Sequence, residues 1–406
     1  MKSGMVFCLV LVWPVTLNAA VGDLQPVKAT PEEALGHQGI RGSSEPGAAR
    51  AKDDGTVNES AAIVTLKNGP LTIKVALDSR KPDAKAPDVV RLDFTGRGRF
   101  DDTAAVPVKS GNGSTWDRGQ GAFGPASLDV PLNGKTVPVT VGGMYYKSGP
   151  NQFVGLSLCT GLEGTCAFGD KAHPVRLIDG DSNLRLGDAS SRIKMDNRVV
   201  GVKAGDTLVL DTGAGKFQPQ DVRKCFYGQP VLVDGTWYRV TVSPDGSKVS
   251  SAPLAVTSGK IKIPHDQWRA TFIGETYILA AGGGAAPIDL PADRYLLADY
   301  QEIAKLPNGE PAVLERDGRR ALYTGTATAI DLPADKTVQV AAGSPLTGRV
   351  EAVQTGRQVL LSLSLLDAAG ADVSDVAVAK DRPAAPRIEI RDAAGKTVHK
   401  AAMEYG

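Results

Sequence analysis

Leu71-Thr72-Ile73-Lys74-Val75-Ala76-Leu77 is the run whose reading decides the fold, because every second residue is a large aliphatic. Successive side chains of a strand point to opposite faces, so Leu71, Ile73, Val75 and Leu77 define one buried face of a sheet. Outward from this run the pattern recurs. Val137, Val139 and Val141 repeat it, as do Tyr238, Val240 and Val242. Further on, Ile261/Ile263, Tyr295/Leu297, Val338/Val340 and Leu361/Leu363/Leu365 alternate again. Between the runs stand Asn133-Gly134, Asp234-Gly235, Asn308-Gly309 and Asp317-Gly318, dipeptides that favour tight turns and, between strands, hairpins. With 46 Gly, 26 Pro and little helical periodicity, the chain is expected to be all-β. A hairpin-rich region is expected over 59–250 and an immunoglobulin-like β-sandwich over 258–406, with a boundary near Ser250–Ser258. The glycine-rich segment 107–127 is expected to be a long irregular loop.

One longer motif recurs. Ile288-Asp289-Leu290-Pro291-Ala292-Asp293-Arg294 returns as Ile330-Asp331-Leu332-Pro333-Ala334-Asp335-Lys336. Proline cannot donate to a sheet ladder, so each copy is expected to mark a turn leading into a strand.

The chain opens with Lys2, an apolar run from Met5 to Val12 and the small-residue segment Leu17-Asn18-Ala19-Ala20. That order is the pattern of an export signal over 1–20, too short to span a bilayer. Residues 21–58, rich in Ala, Gly, Pro, Glu and Lys, are expected to be a disordered leader. The mature chain is thus expected to be secreted or periplasmic, without a stable membrane anchor after cleavage. Lys+Arg of 46 against Asp+Glu of 45 leaves no field to steer nucleic acid. The partner is left open by the sequence, with a cell-envelope or glycan partner the expectation for an exported chain. Cys159 and Cys166 bracket a short flexible segment and are expected to form a disulfide in an oxidising compartment, leaving Cys225 unpaired.

Residues 178–190 carry the densest chemistry: Ile-Asp-Gly-Asp-Ser-Asn-Leu-Arg-Leu-Gly-Asp-Ala-Ser. Asp179, Asp181 and Asn183 place side-chain oxygens at every second position, as the opening of a calcium-coordinating loop does. The Arg185 carbonyl would follow, and Asp188 could replace part of the missing terminal charge. Leu184 stands where glycine is usual, and Ser190 where a bidentate Glu is usual, so Ca²⁺ is expected to bind weakly at best. The alternative is a turn in which the Asp side chains cap backbone amides. Looser echoes occur at 93–102 and 211–217.

Leu208-Val209-Leu210-Asp211-Thr212-Gly213-Ala214 has the form of an aspartic-protease catalytic loop, in which two such carboxylates share a proton. A single copy would require a homodimer. Asp211 also begins one of the Asp/Gly echoes, which accounts for it without catalysis. The histidines His37, His173, His265 and His399 show no ligand or triad spacing and are expected at surfaces or turns. Trp116, Trp237, Trp268 and Tyr145-Tyr146 are either core residues or a stacking platform for carbohydrate.

Residues 206–249, from Asp-Thr-Leu-Val-Leu-Asp-Thr-Gly-Ala-Gly-Lys-Phe to Trp-Tyr-Arg-Val-Thr-Val-Ser-Pro-Asp-Gly, resemble a hairpin module of exported bacterial proteins with Asp/Gly loops. Residues 386–398 resemble the terminal hairpin of immunoglobulin-like modules. These resemblances imply exported β architecture and no particular activity. Function is therefore expected to be structural or ligand-binding and non-enzymatic. A dimeric protease using Asp211 and a carbohydrate-binding protein stay open as alternatives.

Overall fold

The computed structural model describes residues 21–35, 37–43, 56, 61–100, 105–110, 118–132, 135–148, 151–213, 215–218, 222–306, 308–325, 327, 329–356, 358–378, 381 and 383–403. The expected export signal, Trp116 and the Asn133-Gly134 turn lie outside the described residues.

The deciding run is the strand Leu71–Asp78, and the chain is all-β as expected. It belongs to an eight-stranded sheet ordered Ile40–Ser43, Asn151–Cys159, Lys135–Ser148, Arg118–Leu132, Ala105–Ser110, Val89–Asp93, Leu71–Asp78, Ala62–Asn68. The sheet curls until its first and last strands meet: a Cβ added to Gly42 would lie 3.3 Å from the Thr65 carbonyl oxygen. Inside this barrel-like curl Ile73, Val75 and Leu77 pack with Val139, Val141, Val154 and Leu156. Each such side chain contributes about 1.5–3 kcal/mol when fully buried.

A second eight-stranded sheet runs Val222–Phe226, Thr207–Asp211, Lys171–Ile178, Gly161–Phe168, Gly22–Val27, Lys248–Pro253, Thr236–Val242, Val231–Val233. Its hairpin at Asp234-Gly235 has φ of 47° and 78°, the paired left-handed turn residues the dipeptide predicts. Its middle holds a correction. Gly22–Val27 was expected to be disordered, yet it pairs with Gly161–Phe168 on one side and Lys248–Pro253 on the other. Ile40–Ser43 likewise joins the first sheet. Composition misleads here because backbone ladders and only a few buried side chains, such as Leu24, Ala29 and Ile40, tie the segment down.

The expected loop over 107–127 is also corrected. Ala105–Ser110 and the 15-residue strand Arg118–Leu132 occupy much of it. Glycine is needed there for close approach: a Cβ on Gly121 would sit 2.6 Å from the Tyr145 ring and 2.8 Å from the Lys109 carbonyl oxygen.

Beyond residue 258 a three-stranded sheet (Ile288–Pro291, Ser258–Lys262, Thr337–Gln339) shares one core with a six-stranded sheet containing Trp268–Gly274 and Asp293–Lys305. Both copies of the repeated motif form a short strand, Ile288–Pro291 and Ala329–Leu332, ahead of a turn and a further strand. A smaller cluster packs Leu35 and Phe226 against Ile273, Ile278 and Leu322, joining this part to the second eight-stranded sheet. No helix among the described residues is long and apolar enough to cross a membrane.

Candidate metal centre

The antiparallel ladder between Lys171–Ile178 and Thr207–Asp211 pairs Ile178 with Thr207. One step beyond that pair the chain places Asp179 opposite Asp206, and both are fully buried. Like charges directly opposite across strands repel, so this ladder end needs a compensating feature. Asp181, 8% exposed, turns back from the loop to complete a trio whose oxygens lie within 4.8 Å of one another.

The loop is held by its own backbone. Asp179 accepts hydrogen bonds from the Asp181 amide (3.2 Å) and the Leu184 amide (2.9 Å). Asp206 accepts from the Asp188 amide (2.8 Å), from that of Gly187 (2.5 Å), and more distantly from Gly180. Leu184 has φ of 58°, so it adopts the left-handed conformation that glycine supplies at this position of a calcium loop. That conformation costs a non-glycine residue about 1–2 kcal/mol, and Leu184 offsets it by packing against the first core. The loop is also a junction. Asn68 donates to the Asp181 carbonyl at 2.7 Å, the Gln38 amide to the Gly180 carbonyl at 2.8 Å, and the Leu158 amide to Ser182 Oγ at 3.2 Å. His37 Nε2 lies 2.8 Å from Ser157 Oγ and 3.2 Å from Ser182 Oγ.

Of the residues the sequence singled out, Asp179 and Asp181 converge. Asn183 donates its amide to Asp181 (3.2 Å) and Asp188 (2.7 Å), so it orients carboxylates and presents no oxygen to the trio. Its Oδ1 accepts from the Arg185 amide at 2.7 Å. The Arg185 side chain is exposed. Asp206 was missed, because only the ladder brings it beside Asp179.

Electrostatics separates this loop from the echo at Asp93. Asp93 and Asp211 are capped the same way: Asp93 by the Thr95 and Gly98 amides, Asp211 by those of Gly213 and Phe217. At Asp93 burial pushes the carboxyl up, but the Thr95 hydroxyl and the Gly98 and Thr95 amides outweigh it and hold it below the usual range. At Asp179 burial, then the Asp206 charge, drive the carboxyl well above that range. Burial, then the Asp188 charge, raises Asp181. Burial pushes Asp206 up to about 7 against the pull of its amides. Asp181 Oδ1 is buried and accepts no hydrogen bond.

Other expected sites resolve differently. Asp211 is fully buried with each oxygen on an amide of its own loop, which gives it a loop-capping role. The expected Cys159–Cys166 disulfide is corrected: both thiols are free, as is Cys225. Cys159 ends one sheet's strand, while Cys166 lies well along Gly161–Phe168 in the other sheet. At about 3.3 Å per strand residue they stand too far apart for the roughly 7 Å Cα limit of a bridge. Trp237 and Trp268 are core residues, donating to Ser258 Oγ (2.7 Å) and the Gly284 carbonyl (2.9 Å). Tyr145 is buried and Tyr146 exposed.

Comparison of the chain with family models, curated proteins and solved structures finds no match.

Proposed function

We propose that this chain is an exported, non-enzymatic β scaffold whose Asp179–Asp181–Asp206 centre binds a divalent cation of the calcium class. The observation that carries the reading is the trio itself: three buried carboxylates within 4.8 Å, one with a buried oxygen that nothing satisfies. Buried like charges are costly unless paired or bound to metal. All-oxygen donors suit a hard cation, with water or backbone carbonyls completing the six to eight oxygens calcium takes. The role is structural: the loop touches both eight-stranded sheets through Leu184 and Leu186. A cation there would pin the sheets together. The packing of the three-stranded on the six-stranded sheet supports an immunoglobulin-like sandwich for the C-terminal part.

Calorimetric titration of the purified chain with calcium tests the reading. Binding is expected for the unaltered protein and lost in Asp181→Asn, which keeps the side chain's shape while removing its charge. Equal heats from both proteins would refute the site.

A further inference from the structure

A fourth carboxylate stands beside the Asp179–Asp181–Asp206 trio without joining it. The Asp188 amide donates to Asp206 at 2.8 Å, which anchors the Asp188 backbone next to the trio. Its charge is felt there: after burial it is the strongest influence pushing Asp181 up, and it adds to burial at Asp206. Yet the oxygens that meet within 4.8 Å belong to Asp179, Asp181 and Asp206 alone.

Asn183 is what holds Asp188 aside. Its Nδ2 donates to Asp188 Oδ2 at 2.7 Å and to Asp181 Oδ2 at 3.2 Å, one N–H for each carboxylate. A neutral amide compensates two carboxylates poorly, and Asp181, 8% exposed, keeps a buried Oδ1 with no hydrogen-bond partner. A divalent cation in the amide's place would draw oxygens from both side chains, that unsatisfied one included. The way in passes the same residues. Asp179 and Asp206 are fully buried, whereas Asn183 and Asp188 are half-buried, so an ion coming from solvent meets these two first.

We infer that Asn183 is a latch on the cation centre: its amide and a calcium-class cation compete for Asp181 and Asp188, and release of the amide gives the cation Asp188 as a fourth carboxylate. The inference rests on the cation reading above and adds to it one acidic ligand and one gating residue. Asn183 is not itself a ligand, although its place in a calcium loop suggests one. Its Oδ1 is committed to the Arg185 amide at 2.7 Å, and only its donor end faces the carboxylates. Four carboxylates supply most of the six to eight oxygens calcium takes, and water or backbone carbonyls supply the rest.

Calorimetric titration of the full chain and its variants with calcium chloride tests it. Asp188→Asn should weaken binding by about tenfold or more. Asn183→Ala should tighten it by about threefold or more, and so should Asn183→Ser, which keeps an oxygen for the Arg185 amide. Both changes suit the loop, because the left-handed backbone belongs to Ser182 and Leu184 and not to Asn183. Most of the gain should disappear when Asn183→Ala is combined with Asp188→Asn, since the two residues act on one step. A cooperative melt in chelator verifies that each variant folds. In the unaltered protein, calcium should shift the nuclear magnetic resonance signals of the Asn183 side-chain amide, a readout that needs no variant. Weaker binding in the Asn183 variants would make Asn183 a ligand, and unchanged binding a bystander. Full-strength binding by Asp188→Asn would remove the fourth carboxylate, and an Asn183 amide unmoved by saturating calcium would remove the latch. Each of these overturns the inference and leaves the trio standing, whereas an unaltered chain that binds no calcium overturns both.

Discussion

Removing the charge of Asp206 is the most discriminating perturbation of the cation centre. Burial moves this carboxyl from 3.8 up to about 7, so keeping it ionised above that pH disfavours the fold by about 4 kcal/mol. The folded chain holds the proton more tightly than the unfolded chain. That stabilisation is fully present below about pH 4 and is lost as pH rises through about 7. A cation replaces the proton where the carboxylates are ionised, and protons compete with it at lower pH. With dissociation on the order of 10⁻⁴–10⁻³ M, about 10 mM calcium stabilises the folded chain by about 1.4–2.7 kcal/mol. For an unfolding unit of 150–250 residues this raises the melting temperature by about 3–11 °C. Thermal melts near pH 5 and pH 8, in chelator and in calcium, check it. In chelator the melting temperature should be lower near pH 8, and the calcium gain should be larger there. Asp206→Asn should lose the gain and the part of the pH dependence that Asp206 carries, while buried Asp179 and Asp181 keep theirs. A calcium gain of equal size at both pH values, or one that survives in Asp206→Asn, refutes the reasoning.

Other predictions follow from buried groups. Asp211→Asn leaves one of the two capped amides, Gly213 or Phe217, without an acceptor; urea denaturation should show a loss of about 1–3 kcal/mol. The unaltered chain should show no pepstatin-sensitive cleavage, and proteolysis lost in Asp211→Asn would overturn the capping role. Burial pushes the Cys166 and Cys225 thiols up to about 11 and raises Cys159 further. A thiol reagent should therefore label them slowly in the folded protein and rapidly in denaturant, and mass mapping should find no 159–166 bridge. Trp268, 3% exposed, sits among Ile261, Phe272 and Leu297. Trp268→Ala should cost about 3–5 kcal/mol in chemical denaturation, whereas loss of glycan binding without loss of stability would contradict its core role.

Much of the architecture was legible because it depends on short range. Alternation at Leu71–Leu77 or Tyr238–Val242 records which side of a strand is buried, and Asp234-Gly235 records a turn. The Asp loops are equally local, since Asp93, Asp179 and Asp211 each bond amides two and five or six residues on. Where composition stood in for pairing, the expectation failed. Gly22–Val27 carries little apolar content and is ordered by its two ladders, and Gly121 and Gly124 in Arg118–Leu132 serve close packing rather than flexibility.

The sequence by itself determined that the chain is built of strands and that Asp179 and Asp181 share a loop. Only the tertiary structure decided which strands pair and that Asp206 stands opposite Asp179. The physical reason is register. A slip of one residue between Lys171–Ile178 and Thr207–Asp211 would turn every side chain to the other face and carry Asp206 away from the trio. That register is fixed by the burial of Val175, Leu177, Leu208 and Leu210 in a core assembled from distant segments, information that no spacing within either strand contains.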